Sequence, residues 1–432
     1  MGHVATMTFT AALGLMAMFM VDLLDLYFLS LLKDTAVTAA IGFAGAIAFA
    51  NLSMSIGTGI AAAALVARHL GAGDAARARD YAGSTFTFSL LLSALLSLLI
   101  ALFSPVMLRG LGASGEALVL AQRFIWTVTP GFILSAGAIA CSFILRGLGD
   151  ARRAMFITLT SAVVTVVMDP LFILHFGFGM QGAAIANVIA YAVQFLVGLH
   201  GVVRVYQFLP RPGLAALRRD LAPILAIAIP AVLTQLATPF ANAFVTAAVA
   251  PFGDAAVAAS AIIGRVIPVA FGIIFALSGA VGPIIGQNFG ARQMARVRRT
   301  LDDGLIFSGL YTLATSLLLF LFRHHIAALF GAAGRTAELV VFFATFIAVS
   351  WAFAGAQFVA NAAFNNLGHP QLSTLTNWGK ATLGTIPFAW VGARAYGPEG
   401  ILMGTALGSV IFGIASVVMA YRIVAGLENR PA

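Results

Sequence analysis

Long apolar stretches, separated by short clusters of charged residues, glycine and proline, follow one another along the whole chain. A transmembrane helix needs about 20 mainly apolar residues, and each stretch is long enough. The stretches are continuously apolar rather than alternating, which excludes a transmembrane β-barrel. The pattern predicts twelve transmembrane helices, at residues 5–32, 36–67, 82–103, 117–145, 154–176, 183–203, 222–251, 255–288, 303–322, 337–366, 372–393 and 400–421.

The composition supports a membrane protein and excludes the main soluble classes. Of the 432 residues, 61% are hydrophobic and 9% are charged, whereas soluble domains carry about 25% charged residues. The mean hydropathy is +1.01. The single cysteine, Cys141, excludes a disulfide scaffold. The apolar stretch that ends at Leu32 is too long for the core of a signal peptide, so it is interpreted as the first span.

The charge distribution predicts the orientation of the chain. Only Lys33, Arg109, Arg323, Arg335 and Arg394 lie in loops after odd-numbered helices, whereas most of the 24 lysine and arginine residues follow even-numbered ones. Basic residues accumulate in cytoplasmic loops. Both termini are therefore expected in the cytoplasm, and the chain in the inner (plasma) membrane. The same rule explains the net charge of +9 without a nucleic-acid partner.

The two halves of the chain contain related segments. Arg68–Gly73 aligns with Gln287–Arg292 at a spacing of about 219 residues, and further matches at helix ends keep this register. Each repeat holds six spans, so both copies enter the membrane from the same side. The predicted fold is an all-α integral membrane protein with two pseudo-symmetric six-helix lobes, residues 1–210 and 211–432.

Two similar bundles that face one cavity predict an alternating-access transporter. A channel is the alternative, but the sequence contains no filter-like loop and no ring of repeated charges. An intramembrane enzyme lacks a catalytic constellation, and primary transport driven by ATP lacks a nucleotide motif. We expect no cofactor and no bound metal, and a monomer as the working unit.

Four segments resemble motifs of the multidrug and toxic compound extrusion (MATE) family. They are Met20–Asp22 in helix 1, Val167–Phe172 in helix 5, and both Ile262–Val266 and Gly286–Ala291 in helix 8. The resemblance covers essentially the whole chain. It implies two six-helix lobes in a V and export of organic cationic or amphipathic compounds by antiport against protons or sodium. A lipid-linked saccharide flippase of the same superfamily is the alternative.

The sequence departs from the family pattern in two places. Family members often have a proline about fifteen residues before the helix 1 aspartate, where this chain has Met7 nearby. They also often have an asparagine four residues before the helix 5 aspartate and a threonine eighteen after it. Here these positions are Thr165 and Asn187, so the two polar residue types are exchanged.

Acidic residues inside the predicted spans are the candidate cation-coupling site. Asp22 and Asp169 lie at similar depth in helices 1 and 5, and such groups cost about 2.5–3.5 kcal/mol to insert. Burial and a second nearby carboxyl both favour the protonated form, so protons are predicted rather than sodium. Asp25 lies three residues beyond Asp22 on the same face, either as a relay acid or simply hydrated. Pro170 predicts a helix break beside Asp169.

Other polar residues complete the candidate set. Thr165 lies one turn from Asp169 and Asn187 begins helix 6, and each is interpreted either as a site residue or as an ordinary interhelical hydrogen-bonding group. Arg265 and Lys380 in helices 8 and 11 either line a cavity or bond to backbone carbonyls. The second lobe contains no mid-membrane acid, so the coupling chemistry is predicted in the first. Small organic cations and membrane lipid are the expected partners.

Overall fold

The structure is a computed structural model that describes residues 2–30, 34–210 and 213–428, apart from a few side chains near the N-terminus that include that of Asp22. The described chain forms twelve helices and no strand. They are α1 Gly2–Ser30, α2 Thr35–Gly71, α3 Ala75–Gly110, α4 Gly115–Gly147, α5 Ala151–His175, α6 Met180–Val205, α7 Leu214–Phe252, α8 Asp254–Gly290, α9 Met294–Leu329, α10 Gly334–Asn366, α11 370–396 and α12 398–428.

Within the described residues, ten continuous helical stretches are long and apolar enough to cross a membrane. The last stretch, Pro370–Glu428, contains both α11 and α12, because Gly397 leaves the helical conformation with φ of 63° and Pro398 follows it. The apolar part of α1 is Ala5–Val21. The prediction of an all-α membrane protein with twelve spans is confirmed.

Four turns that follow even-numbered helices share one backbone geometry. Each has a residue with positive φ two positions before the next helix: Gly73, Gly149, Arg292 and Gly368, with φ of 78°, 91°, 55° and 90°. In the first half, Asp74 and Asp150 then cap the next helix, and each carboxylate accepts a backbone N–H at 2.9 Å. Such caps satisfy amide groups that have no partner inside the helix. The recurrence in both halves matches the sequence repeat.

The residues Leu13–Val232 form one compact unit. Its central helix is α4, which packs against α2, α3 and α6. Ile125, Ile144 and Leu145 of α4 are fully buried. Full burial of a large apolar side chain stabilises the fold by about 1.5–3 kcal/mol in water, but inside a membrane close packing takes over this role.

The second compact unit contains Met1–Ala12 and Leu233–Ala432. Phe271 and Leu277 of α8 and Phe364 of α10 are fully buried at its centre. The helices α11 and α12 approach each other through their backbones, since a Cβ added at Gly408 would lie 1.7 Å from the carbonyl oxygen of Gly384. Small residues of this kind allow close helix packing in membranes.

The compact units divide α1 and α7 between them. The predicted lobes, residues 1–210 and 211–432, assign each of these helices to a single lobe. In the structure the part of α7 before Leu233 belongs to the unit that contains α2 to α6, and the rest of α7 belongs to the other unit. Leu217, Ile224 and Ile227 of α7 pack in one buried apolar cluster with residues of α2 and α3, and an ion-pair network at the start of α7, described below, adds to this attachment.

Candidate functional site

The helix α5 changes its hydrogen-bonding pattern at Asp169. It is a regular α-helix to that residue and a wider π-helical turn from Pro170 to His175. The Phe176 N–H donates to the carbonyl oxygen of Leu171, five residues earlier, at 2.9 Å. Proline has no N–H and its ring crowds the preceding turn, so a regular α-helix cannot continue there. Single π-helical turns occur frequently at functional sites.

The carboxyl group of Asp169 is fully buried, with no exposed surface. In the described part of the chain, neither of its oxygens has a hydrogen-bond partner other than the carboxyl group of Asp25. Burial of an unpaired carboxylate is costly, so such a group is expected to be neutral or to bind a cation. This combination makes Asp169 the centre of the candidate site.

The carboxyl group of Asp25 is the acidic neighbour of Asp169 and is close enough to interact with it. Asp25 is partly buried in α1, and its Oδ1 atom has no partner within the described chain. The predicted partner, Asp22, lies three residues earlier in α1, but its side chain is outside the described residues. Asp25 and Asp169 therefore form a pair of neighbouring carboxyl groups from α1 and α5, and the prediction for Asp22 stays a prediction.

Two polar residues predicted for the site lie on α5 and α6. Thr165 is buried one turn before Asp169, and its hydroxyl donates to the carbonyl oxygen of Ser161 at 3.1 Å. Asn187 is partly buried on α6, which packs against α5 and its π-helical turn. The approach is close, because a Cβ added at Gly182 would lie 2.5 Å from the carbonyl oxygen of Phe172.

The two basic residues predicted as cavity lining lie in the other compact unit. Arg265 is exposed on α8, between the buried side chains of Ile263 and Val266. Lys380 is partly buried on α11, at the first residue of another π-helical turn. Its carbonyl oxygen accepts a hydrogen bond from the Thr385 hydroxyl at 2.8 Å. Both are basic residues within spans, and neither belongs to the carboxyl pair.

A buried carboxylate at the start of α7 was not predicted. Asp220 has no exposed surface, and its oxygens contact Arg77 Nη2 at 2.8 Å, Arg219 Nε at 2.9 Å and the Ser84 hydroxyl at 2.6 Å. The sequence pattern assigned this acid to a charged loop before helix 7. Its partners on α3 lie far away in sequence, so only the fold reveals that α3 and α7 are joined there.

A buried amide network between α10 and α11 was also not predicted. The Asn377 amide donates to Asn361 Oδ1 at 3.1 Å, and the Ser373 hydroxyl donates to Asn365 Oδ1 at 3.2 Å. Asn361 and Asn365 are four residues apart on one apolar helix, and this spacing was the available signal. The network is uncharged and internally bonded, so it suits helix association better than ion binding.

Comparison with known proteins identifies the class of this membrane protein. The MatE family model matches residues 11–171 and 230–391, one match in each half of the chain. The chain therefore belongs to the MatE family. It is a multi-pass membrane transporter and not an enzyme.

Individual relatives show what the chain is similar to. A protein named FAD transporter from Shewanella oneidensis is 28% identical, and the alignment covers 95% of this chain and 92% of that protein. The multidrug export protein MepA from Staphylococcus aureus is 25% identical, with coverage of 92% and 88%.

Solved structures have the same fold. The Vibrio cholerae MATE transporter VcmN in its bent form superposes with a TM-score of 0.93 at 24% identity, covering 99% of this chain and 97% of that one. An outward-facing multidrug resistance MATE family transporter gives a TM-score of 0.93 at 21% identity, covering 99% and 96%.

Proposed function

We propose that this transporter exports organic cationic or amphipathic compounds by antiport against protons. The observation that carries the proposal is the buried carboxyl of Asp169, whose one hydrogen-bonding neighbour among the described residues is the carboxyl of Asp25. Burial of the protonated acid at this position costs little free energy, whereas the ionised acid attracts a cation. Binding of a proton and binding of a cationic substrate therefore oppose each other at this pair.

The proposed cycle follows from that competition. With the carboxyl pair deprotonated, the negative charge favours occupancy by a cationic compound taken from the cytoplasm. Protonation from the outer side removes the attraction and releases the compound. The π-helical turn at Pro170 gives α5 a place where its backbone can rearrange between the two states. Titration belongs to the pair as a whole, since two interacting carboxyl groups share their protons.

Protons rather than sodium are the proposed coupling ions. Sodium, as a hard cation, requires several oxygen ligands at once, as other hard cations do. Asp169 and Asp25 supply two carboxyl groups, and the described residues hold no cluster of three or more acidic, histidine or cysteine side chains that could surround a metal ion. A proton needs only one carboxyl oxygen, so the described arrangement suits it better.

The distribution of basic residues supports an orientation with both termini in the cytoplasm of a cell whose inner membrane holds the protein. In this orientation Asp169 lies toward the outer end of α5, near the turn that follows His175. Proton entry from the outside then needs to pass only a short distance. We propose this placement together with the coupling mechanism.

A second candidate substrate class is a large anionic flavin nucleotide. The relative named FAD transporter favours it, and so do the two cations of the second unit, Arg265 on α8 and Lys380 on α11. A lipid-linked saccharide flippase is a further alternative, but several arginines would be expected along its spans and Arg265 is the one at mid-depth.

The proposal is tested with the full-length chain in proteoliposomes that contain a pH-sensitive dye. Addition of a cationic dye such as ethidium should change the internal pH in wild type and leave it unchanged in Asp169→Asn. Glu338→Gln is the matched control, because this acid lies in the other unit and pairs with Arg335 at 3.0 Å. A normal pH response from Asp169→Asn, or a response to FAD alone, would overturn the proposal.

A further inference from the structure

A basic cavity lies where α9 begins and α12 ends. Its volume is about 400 Å³, and it is lined by Arg298, Val418, Tyr421, Arg422, Val424 and Ala425. Cavities of about 300–1,000 Å³ are typical of sites for small ligands. Two guanidinium groups and a tyrosine ring thus face one space that also has an apolar wall.

The charges around the cavity leave both arginines able to bind an anion. The Arg298 Nη1 atom lies 3.9 Å from Glu428 Oε2, which is longer than the about 2.7–2.9 Å of a charge-assisted hydrogen bond. Arg422 is exposed and has no ion pair with an acid in the described part of the chain. The remaining nearby acid, Asp302, accepts a hydrogen bond from the Tyr421 hydroxyl.

A continuous apolar surface leads from the membrane interior to this cavity. Exposed apolar side chains recur along one face of α12 at intervals of three or four residues, at Met403, Leu407, Ile411, Ile414 and Val418. A similar exposed row runs along α9, at Ile306, Leu310, Leu313 and Leu317. In a transmembrane protein such faces contact lipid acyl chains. The row on α12 ends at the cavity wall, one turn before Arg422.

We propose that this cavity binds the phosphate group of an anionic phospholipid from the adjacent leaflet. Arg298 and Arg422 would hold the phosphate from two helices, because a guanidinium group matches its oxygens in a bidentate geometry. The acyl chains would lie along the exposed apolar row of α12. A soluble phosphate compound would use the two arginines but not that row, so the apolar row identifies the lipid as the occupant. Basic pockets between transmembrane helices bind lipid headgroups in this way.

The test measures lipid binding to the full-length protein by native mass spectrometry. The probes are phosphatidylglycerol and, as the zwitterionic comparison, phosphatidylcholine. Wild type should retain phosphatidylglycerol preferentially, and Arg298→Gln and Arg422→Gln should each weaken its binding about tenfold, the usual effect of one charged hydrogen bond. Arg422→Lys should bind more weakly than wild type but more strongly than Arg422→Gln, because it keeps the charge and loses the bidentate geometry.

Matched controls separate a site from a generally basic surface. Arg299→Gln removes the same charge at the same end of α9, from an exposed residue that does not line the cavity. It should leave phosphatidylglycerol binding unchanged. All substituted arginines are exposed, so equal melting temperatures should accompany these differences.

Three results would overturn the lipid proposal. Phosphatidylcholine bound as strongly as phosphatidylglycerol would exclude charge recognition. An Arg299→Gln effect as large as that of Arg422→Gln would assign binding to the surface as a whole. Displacement of the lipid by glycerol 3-phosphate at equal concentration would show that the acyl chains contribute nothing and that the site takes soluble phosphates.

Discussion

At the scale of single residues, Asp169 combines full burial with a second carboxyl group, that of Asp25, as its one hydrogen-bonding neighbour among the described residues. The sequence predicted a functional role for Asp169, because an acid beside a proline in an apolar stretch is rare and placing it in the membrane costs free energy. It predicted Asp22 as the partner, whose side chain lies outside the described residues, and it left Asp25 as either a relay acid or a hydrated group. Asp22 and Asp25 are three residues apart and share a helix face. Which of them lies level with Asp169 depends on how far α1 is shifted along its axis relative to α5, and the sequence does not give this shift.

The carboxyl pair leads to a prediction for substitutions of its two members. Asp169→Asn should fold and lose concentrative export, and Asp25→Asn should be impaired because it removes the neighbouring carboxyl. The double variant should be no worse than Asp169→Asn alone, because groups that act as one unit are not additive. Export of ethidium by equally expressed variants is the measurement. A double variant with a summed defect would mean that the two acids act separately.

A second prediction concerns Asp150, which lies in the turn between α4 and α5. Burial alone would raise the pKa of Asp150, but hydrogen bonds from Arg153 and Tyr206 outweigh burial and hold this pKa below its ordinary value. A lowered pKa stabilises the fold above the ordinary value of about 3.9, and this contribution is lost as the pH falls through the lowered pKa.

Asp150→Asn should therefore lower the melting temperature at pH 7, and the difference from wild type should shrink below about pH 4. Thermal unfolding in detergent across this pH range is the measurement. A difference that stays constant with pH would show that the carboxylate charge plays no part in the contact.

At the scale of helices, the break in α5 was predictable but its form was not. Pro170 predicts that the α-helical ladder is interrupted. The sequence does not indicate that the chain continues as a π-helical turn to His175. That outcome depends on α6, whose Gly182 allows the backbone to approach the carbonyl of Phe172. A contact of this kind is not visible in a single helix pattern.

The close approach at Gly182 gives a prediction for α5 and α6. Gly182→Ala would place a Cβ 2.5 Å from the carbonyl oxygen of Phe172, and overpacking of this kind costs about 1–3 kcal/mol. The melting temperature and export should both fall, since the displaced turn follows Asp169 directly. Gly42→Ala on α2 is the control, because its Cβ would have no neighbour within 4 Å. Equal stability of the two variants would contradict the proposed packing.

The network at Asp220 gives a prediction for α3 and α7. Asp220→Ala should lower the free energy of unfolding by about 1–3 kcal/mol, because it leaves the buried Ser84 hydroxyl without its acceptor and separates Arg77 and Arg219 from their shared carboxylate. Asp80→Ala should change it by about 1 kcal/mol or less, since Asp80 pairs with Arg219 at 2.7 Å but is 43% exposed. Denaturation in mixed micelles can measure both. Equal losses of unfolding free energy in the two variants would mean that Asp220 contributes no more to the network than the exposed Asp80.

At the scale of the whole molecule, the duplication was the most predictable feature. The repeated segments near Arg68 and Gln287 correspond to turns of the same geometry, and the family model matches once in each half. The division of α7 was not predictable, because it depends on contacts such as that between Asp220 and Arg77, which are separated by three intervening helices. The two halves share one arrangement of helices, but the proposed coupling carboxyl groups, Asp25 and Asp169, both lie in the first half.

Proton coupling at the Asp169–Asp25 pair is the central claim, and an efflux assay with imposed gradients tests it most directly. Vesicles that contain the full-length chain are loaded with ethidium and given either a proton gradient or a sodium gradient alone. Wild type should export ethidium with the proton gradient and not with sodium, and Asp169→Asn should export with neither. Export that survives collapse of the proton gradient and follows sodium would contradict proton coupling, and export by Asp169→Asn would contradict the site itself.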